Sequence, residues 1–227
     1  MVSFLSLVEK IAAQEPTQVH PKLTEDLLKF FGPQYQSGRC IEHEGESIGL
    51  FAYDKGNFRN VFFKIALPQA QRRVKLGFGI VINYGETNKF QKEETHNEFK
   101  ERFLIGGRIQ ADVHNYATGK AGKIGYVPAI YRVAESVQEP TMKSIQPGLY
   151  IEMEFIEGKS LLSWAKNREA IELLEMFWSI LSFFEVALHS KSIVHADVKA
   201  SNILVDQSGR PVILDFKINQ FCIHNGI

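Results

Sequence analysis

Ile193-Val-His-Ala-Asp-Val-Lys-Ala-Ser-Asn-Ile-Leu-Val-Asp206, followed by Leu214-Asp-Phe216, is the stretch that decides the reading of this chain. The apolar pairs Ile193-Val194 and Ile203-Leu204 frame a short loop carrying Asp197, Lys199 and Asn202, and Asp215 follows the apolar run Val212 to Leu214. Taken singly, Asp197 and Asn202 are ordinary turn formers and Asp215 a strand terminator. Four such residues in order, between apolar segments and behind a long apolar helix, ask for a common purpose. A carboxylate that can take the proton of an attacking hydroxyl, together with oxygen ligands that can hold a divalent cation against a triphosphate, is the set that phosphoryl transfer requires.

The arrangement resembles the catalytic loop of protein kinases, His-Arg-Asp-x-Lys-x-x-Asn with Asp-Phe-Gly downstream, and stands here as His195-Ala196-Asp197-Val198-Lys199-Ala200-Ser201-Asn202 and Asp215-Phe216-Lys217. The resemblance implies ATP and Mg²⁺. Asp197 would be the catalytic base, Lys199 would contact the γ-phosphate, Asn202 and Asp215 would hold Mg²⁺, and His195 would brace the loop. Val61-Phe62-Phe63-Lys64 sits where the family places its strand lysine, so Lys64 would meet the α and β phosphates, held by Glu101 with Glu98 as the alternative. Strand alternation puts Phe62 and Lys64 on one face. Glu44 to Phe51 can be laid against the Gly-rich phosphate loop, with Ser47 and Gly49 at the nucleotide and a plain hairpin turn as the rival reading. Tyr150 to Leu161 resembles the interlobe hinge, Met153 being the gatekeeper and Glu154 and Phe155 leading into the linker.

Working outward, the expected class is α+β, a two-lobed protein kinase-like fold with an antiparallel N-lobe sheet, one main N-lobe helix and a reduced, mostly helical C-lobe. Residues 1–36 read as a helical extension, 37–155 as the N-lobe with an insertion at about 67–92, and 156–227 as the C-lobe. Phe4, Leu7, Val8 and Ile11 recur at helical spacing, and a second helix reads from an N-cap at Thr24 through Phe31. Asp54-Lys55-Gly56-Asn57 is a turn between two strands. Glu93 to Ala111 reads as a helix despite Gly106 and Gly107, with a Gly-rich loop from Asn115 to Gly125. Ala170 to His189 is the strongest helix; its stripe of Leu173, Phe177, Ile180, Leu181, Phe184 and Leu188 is expected to be buried.

Composition narrows the function classes. With 26 Lys plus Arg against 26 Asp plus Glu, no basic excess points to nucleic acid or to an anionic membrane surface. Two cysteines, Cys40 and Cys222, provide no disulfide framework and no paired zinc motif, so a reducing, cytoplasmic setting is the default. No apolar run approaches the roughly 20 residues of a membrane span. Three departures from the family stand out: Ala196 for the Arg that binds an activation-loop phosphate, Lys217 for the Gly after Asp-Phe, and Phe62 for a small adenine-roofing Ala. The chain also ends soon after Asp215, in the way of short bacterial effector kinases, which would act in a host cytosol. The leading expectation is a minimal Ser/Thr protein kinase with a protein substrate. The alternatives are a pseudokinase serving as a nucleotide-regulated binding module and a small-molecule kinase of the sugar or aminoglycoside type.

Overall fold

A computed structural model describes residues 2–44, 46–68, 73–75, 81–83, 95–120, 125–141 and 143–216. Residues 1–100 with 131–155 form one compact unit, and 101–130 with 156–227 form a second. The sequence-based division carries the first lobe unbroken from 37 to 155; here residues 101–130 belong with the second unit.

The first unit is built on a five-stranded sheet. Its strands are β1 (Tyr35–Glu44), β2 (Ser47–Asp54), β3 (Arg59–Ala66), β6 (Ile130–Gln138) and β7 (Ile145–Glu154), in the order β1-β2-β3-β7-β6. Between β3 and β6 in the chain, the short strands β4 (Arg73–Lys75) and β5 (Val81–Asn83) pair with each other as a separate ladder in the expected insertion. Alternation along β2 and β3 sends Ile48, Leu50, Ala52, Val61, Phe63 and Ile65 to one face, all buried. That face is covered by two helices, α1 (Phe4–Ala12) and α2 (Pro21–Leu28). Phe31, just past α2, stacks on Phe63 with ring centroids 4.3 Å apart, and Phe4 meets Phe30 and Phe31 edge-on. The N-terminal helices expected from periodicity are therefore the outer layer of the sheet. The cap of α2 is His20, whose ring accepts the Lys22 N–H, and not Thr24. Pro21 opens the helix as a first-turn residue, and Thr24 lies inside it, its hydroxyl tying the carbonyls of Pro21 and Gly38.

The β2–β3 turn forms where Asp54-Lys55-Gly56-Asn57 predicts it. The Asp54 carboxylate accepts the Gly56 and Asn57 backbone N–H groups and the Asn57 side-chain amide. Burial pushes the Asp54 carboxyl upward, but these bonds and Arg59 outweigh it and hold the group below its ordinary value. Nearby, the Tyr35 hydroxyl donates to the buried Glu152 at 2.9 Å.

The second unit holds most of α3 (His96–Lys120), then β8 (Gly158–Ser160), α4 (Leu161–Ala165), α5 (Ala170–Phe183), β9 (Ile203–Asp206) and β10 (Pro211–Ile213). The three strands form a sheet in the order β10-β9-β8. Its core joins Val113 and Ala117 of α3, Met176, Ile180 and Phe183 of α5, and Ile203, Val205 and Ile213 of the sheet. Helix α3 differs from the expected span of Glu93 to Ala111. It is opened by a capping box, in which Thr95 Oγ accepts the Glu98 N–H and Glu98 returns the bond to the Thr95 N–H. It then runs on to Lys120, nine residues beyond Ala111, and takes up the first half of the expected Gly-rich loop.

Helix α5 is capped at Glu169, which exchanges reciprocal bonds with Glu172. Regular helix ends at Phe183; a wider π turn covers Phe184–Leu188 and a 3₁₀ turn His189–Lys191. The expected buried stripe divides. Ile180, Phe184 and Leu188 are buried, whereas Leu173, Phe177 and Leu181 are exposed at 38%, 58% and 45%. The buried face is centred instead on Met176, Ile180, Phe183 and Ala187, because the wider turn after Phe183 shifts the register by which the two ends share a face. Among the described residues, no helix is long and apolar enough to cross a membrane.

Candidate active site

The loop between α5 and β9 is held by His195. This ring is 3% exposed and packed between Phe184, edge-on at 6.1 Å, and Phe216, tilted at 4.6 Å. Its Nε2 donates to the Leu214 carbonyl at 2.7 Å and its Nδ1 accepts the Asp197 N–H at 3.3 Å. Both bonds form together only in the neutral tautomer protonated on Nε2, since the charged ring has no acceptor. Burial holds the His195 pKa below its ordinary value, opposed by the Leu214 carbonyl and by Asp215 and Asp197. The expectation of a bracing residue corresponds to this double tie, from the loop to the segment that carries Asp215.

Asp197 and Asn202 are brought together. The Asn202 amide Nδ2 donates to the Asp197 carbonyl at 2.9 Å and to its carboxylate Oδ2 at 3.1 Å. Lys199 Nζ lies 3.3 Å from the same Oδ2. Asn202 is buried, Asp197 half-buried and Lys199 exposed, so the cluster opens outward through the lysine. The Leu214 N–H donates to the Asn202 carbonyl at 2.9 Å, which sets the Asp215 segment alongside the loop. Ala196 and Asp215 both take left-handed backbone conformations, with φ of 58° and 62°. That geometry costs an L-residue on the order of 1–2 kcal/mol and gathers at functional loops.

Gly106 is a residue of this site that the motif reading passes over. A Cβ added there would lie 2.4 Å from the Phe216 carbonyl oxygen, so only glycine lets α3 meet the residue after Asp215. The available signal was a glycine pair inside a helix, whose cost of roughly 1 kcal/mol asks for a packing reason.

In the first unit, the ladder arranges the remaining predicted residues in rows. Phe62 faces Phe51 on one side and Met153 on the other; the next row is Gly49, Lys64 and Ile151, and Ser47 pairs with Ala66. Ser47, Gly49, Lys64 and Met153 thus share the sheet face opposite α1 and α2. Glu154 ends β7 opposite Val61, and the Phe155 ring returns edge-on to Phe51 at 4.7 Å. The Arg39 guanidinium lies over Phe51 at 4.9 Å. Glu101 is exposed on α3 and falls in the second unit, Lys64 in the first; Glu98 is engaged as the helix cap. Gly45 and Lys217 lie outside the described residues.

Comparison with known proteins follows the same lines. The family described as protein kinase domain matches residues 122–225. A probable serine/threonine-protein kinase PknB of Lactococcus lactis is 38% identical over 72 residues, 30% of this chain and 11% of the relative. The human cAMP-dependent protein kinase catalytic subunit PRKX is 39% identical over 71 residues, 30% of this chain and 20% of that protein. A bifunctional serine/threonine-protein kinase and NEDD4-like E3 ubiquitin-protein ligase of Dictyostelium discoideum is 33% identical over 81 residues, covering 31% of this chain and 4% of its own length. The chain thus spans a fifth or less of each of these relatives. Among solved structures, the PpkA-294 apo form superposes with a TM-score of 0.52 at 17% identity, covering 81% of this chain and 58% of that one. Its likeness is one of fold. Over residues 122–225 the chain is thus similar to protein kinase domains, and its fold is similar to that of a solved structure.

Proposed function

We propose that the chain is an ATP- and Mg²⁺-dependent phosphotransferase acting on Ser or Thr hydroxyls of a protein substrate. The observation that carries the reading is the Asp197-Lys199-Asn202 cluster, tied through His195 to the Asp215 segment. Asp197 is half-buried and accepts from Asn202, so its carboxylate has a fixed direction from which to orient a hydroxyl and take its proton. Lys199 beside it brings positive charge to the place where phosphoryl oxygens would sit. It also favours the protein-kinase reading over the sugar or aminoglycoside type, in which the motif usually lacks that lysine.

The donor set suits Mg²⁺. Asn202 spends its amide nitrogen on Asp197, which turns its amide oxygen toward a ligand role, and Asp215 adds a carboxylate held at a left-handed position. A hard cation that keeps waters and shares substrate phosphates needs only one or two such protein oxygens. When bound, the ion neutralises charge developing on the transferred group. Lys64, on the sheet face with Gly49 and Ser47, is assigned to the α and β phosphates with Glu101 as its partner, and Met153 to Phe155 to the base.

The pseudokinase reading keeps one specific observation in its favour. Phe51, Phe62 and Phe155 crowd the sheet face assigned to the base. Two measurements separate the readings: a thermal-shift titration with ATP and Mg²⁺, and transfer of labelled γ-phosphate to a protein panel and to small alcohols. Phosphotransfer to protein that Asp197→Ala abolishes supports the proposal. A shift without transfer supports the binding module, and transfer to alcohols alone supports the small-molecule kinase.

A further inference from the structure

One row of cross-strand neighbours runs over four strands of the first unit: Arg39 of β1, Phe51 of β2, Phe62 of β3 and Met153 of β7. Residues directly opposite in antiparallel strands share a face, and for this row it is the face away from α1 and α2. Phe155 stands two residues after Met153, and its N–H donates to the Asn60 carbonyl of β3 at 3.5 Å. Alternation therefore carries the Phe155 ring to the same face.

The rings of Phe51 and Phe155 cross the sheet to meet. Their strands lie on either side of β3, and strands two places apart stand about 9.5 Å from each other. The ring centroids are nevertheless 4.7 Å apart, at an interplanar angle of 76°, so both side chains lean inward and join over β3 beside Phe62. From the β1 flank the Arg39 guanidinium lies over the Phe51 ring at 4.9 Å, within cation–π reach, and steadies it there. A base laid on this row would need the space above β3 at roughly 3.5–4 Å from its neighbours, and the joined rings fill that space. The row of Lys64 differs. It lies about 6.8 Å further along β3 than Phe62, and its β2 neighbour Gly49 adds no side chain to crowd a phosphate.

We propose that the joined rings of Phe51 and Phe155 close the base site, so that the phosphoryl donor is held through its polyphosphate chain at Lys64 and its base is not selected. The donor class is then a Mg²⁺-bound polyphosphate with or without a nucleoside, and ATP, GTP and tripolyphosphate serve alike. In each, the bond between the terminal phosphorus and its bridging oxygen breaks as the substrate hydroxyl oxygen bonds that phosphorus. The hydroxyl proton passes to Asp197, and ADP, GDP or pyrophosphate leaves. The inference rests on the assignment of phosphotransfer to this chain and names the donor for it.

Calorimetric titration of the chain with ATP, GTP and tripolyphosphate in excess Mg²⁺ tests it. Dissociation constants within about threefold of one another are expected for the parent, whereas a stacked base would set ATP apart from tripolyphosphate by about fivefold or more. Phe51→Val removes one half of the bridge and leaves Phe62 and Phe155 as stacking surfaces. ATP should then bind at least about fivefold more tightly, with tripolyphosphate unchanged. Phe155→Ala opens the bridge from the other side and should act in the same direction. Neither ring belongs to the core cluster of the first unit, so both variants should keep the thermal transition of the parent. Lys64→Ala should weaken all three donors together. A parent that prefers ATP to tripolyphosphate by about tenfold, ring variants that bind ATP no more tightly, or an equal gain for tripolyphosphate overturns the proposal and leaves phosphotransfer standing. Donor binding indifferent to Lys64→Ala also overturns it. If parent and ring variants bind none of the three donors, the phosphotransfer reading falls with it.

Discussion

The two units treat apolar surface in opposite ways. In the first, the sheet face formed by Val61, Phe63 and Ile65 is closed by α1 and α2, and rings from both partners interlock at Phe31 and Phe63. In the second, α5 commits one face to the core and leaves Leu174 and Trp178 in solvent, while the loop beside it is held by polar bonds from His195 and Asn202. Close packing makes a unit stiff and locally stable, because each deleted methylene leaves a cavity. Directional hydrogen bonds fix a few atoms with precision and little buried area, which is what a group that must aim at a reacting hydroxyl needs. The contrast thus separates a scaffold from a working loop.

Four measurements test this difference between the units. The largest effect is expected at Asp197, where replacement by Ala should lower phosphotransfer by about 10²–10⁴-fold, the usual share of a positioned base. Circular dichroism and the melting profile should stay close to the parent, since Asn202 keeps its bond to the Asp197 backbone carbonyl; unchanged turnover would remove Asp197 from the role. In the scaffold, Phe63→Ala should cost about 3–5 kcal/mol of stability by denaturant titration, as befits a fully buried ring. A loss under about 1 kcal/mol would mean that α1 and α2 do not close that face.

Gly106→Ala is the sharper probe of the working loop. Its Cβ would collide with the Phe216 carbonyl, so we expect a loss of about 1–3 kcal/mol although alanine is the better helix former. Phosphotransfer should fall further than that of a surface glycine variant such as Gly209→Ala, because the displaced atoms adjoin Asp215. A stabilised, active Gly106→Ala would show that α3 does not approach that carbonyl.

The smallest effect concerns pH. His195 has its pKa lowered by burial, so below its ordinary value near 6.5 the unfolded chain binds the proton more readily than the native one. The contribution to stability is complete above that value and is lost as pH falls from there toward the depressed native pKa. Protonation would also take the ring Nδ1 away from the Asp197 N–H, which keeps its 2.9 Å bond to the His195 carbonyl. Thermal melts from pH 7.5 to about 5 should show the decline, and His195→Asn should flatten it. A decline of equal slope in that variant would assign the effect to other groups.

Much of this molecule could be read from its order of residues. Lys64 and Phe62 share a face because a strand alternates, and Asp197, Lys199 and Asn202 meet because they lie within six residues of one tight loop. The Asp54 to Asn57 turn needed only its own side chains. Local chemistry determined these features, and the sequence is sufficient wherever the partners are neighbours. The tertiary structure decided the rest: which stripe of α5 is buried, why Gly106 interrupts a helix, and that α1 and α2 roof the sheet. Each depends on an atom far away in the chain, such as the Phe216 carbonyl over Gly106 or Phe63 under Phe31, and periodicity reports that a face is apolar without saying what, if anything, arrives to cover it.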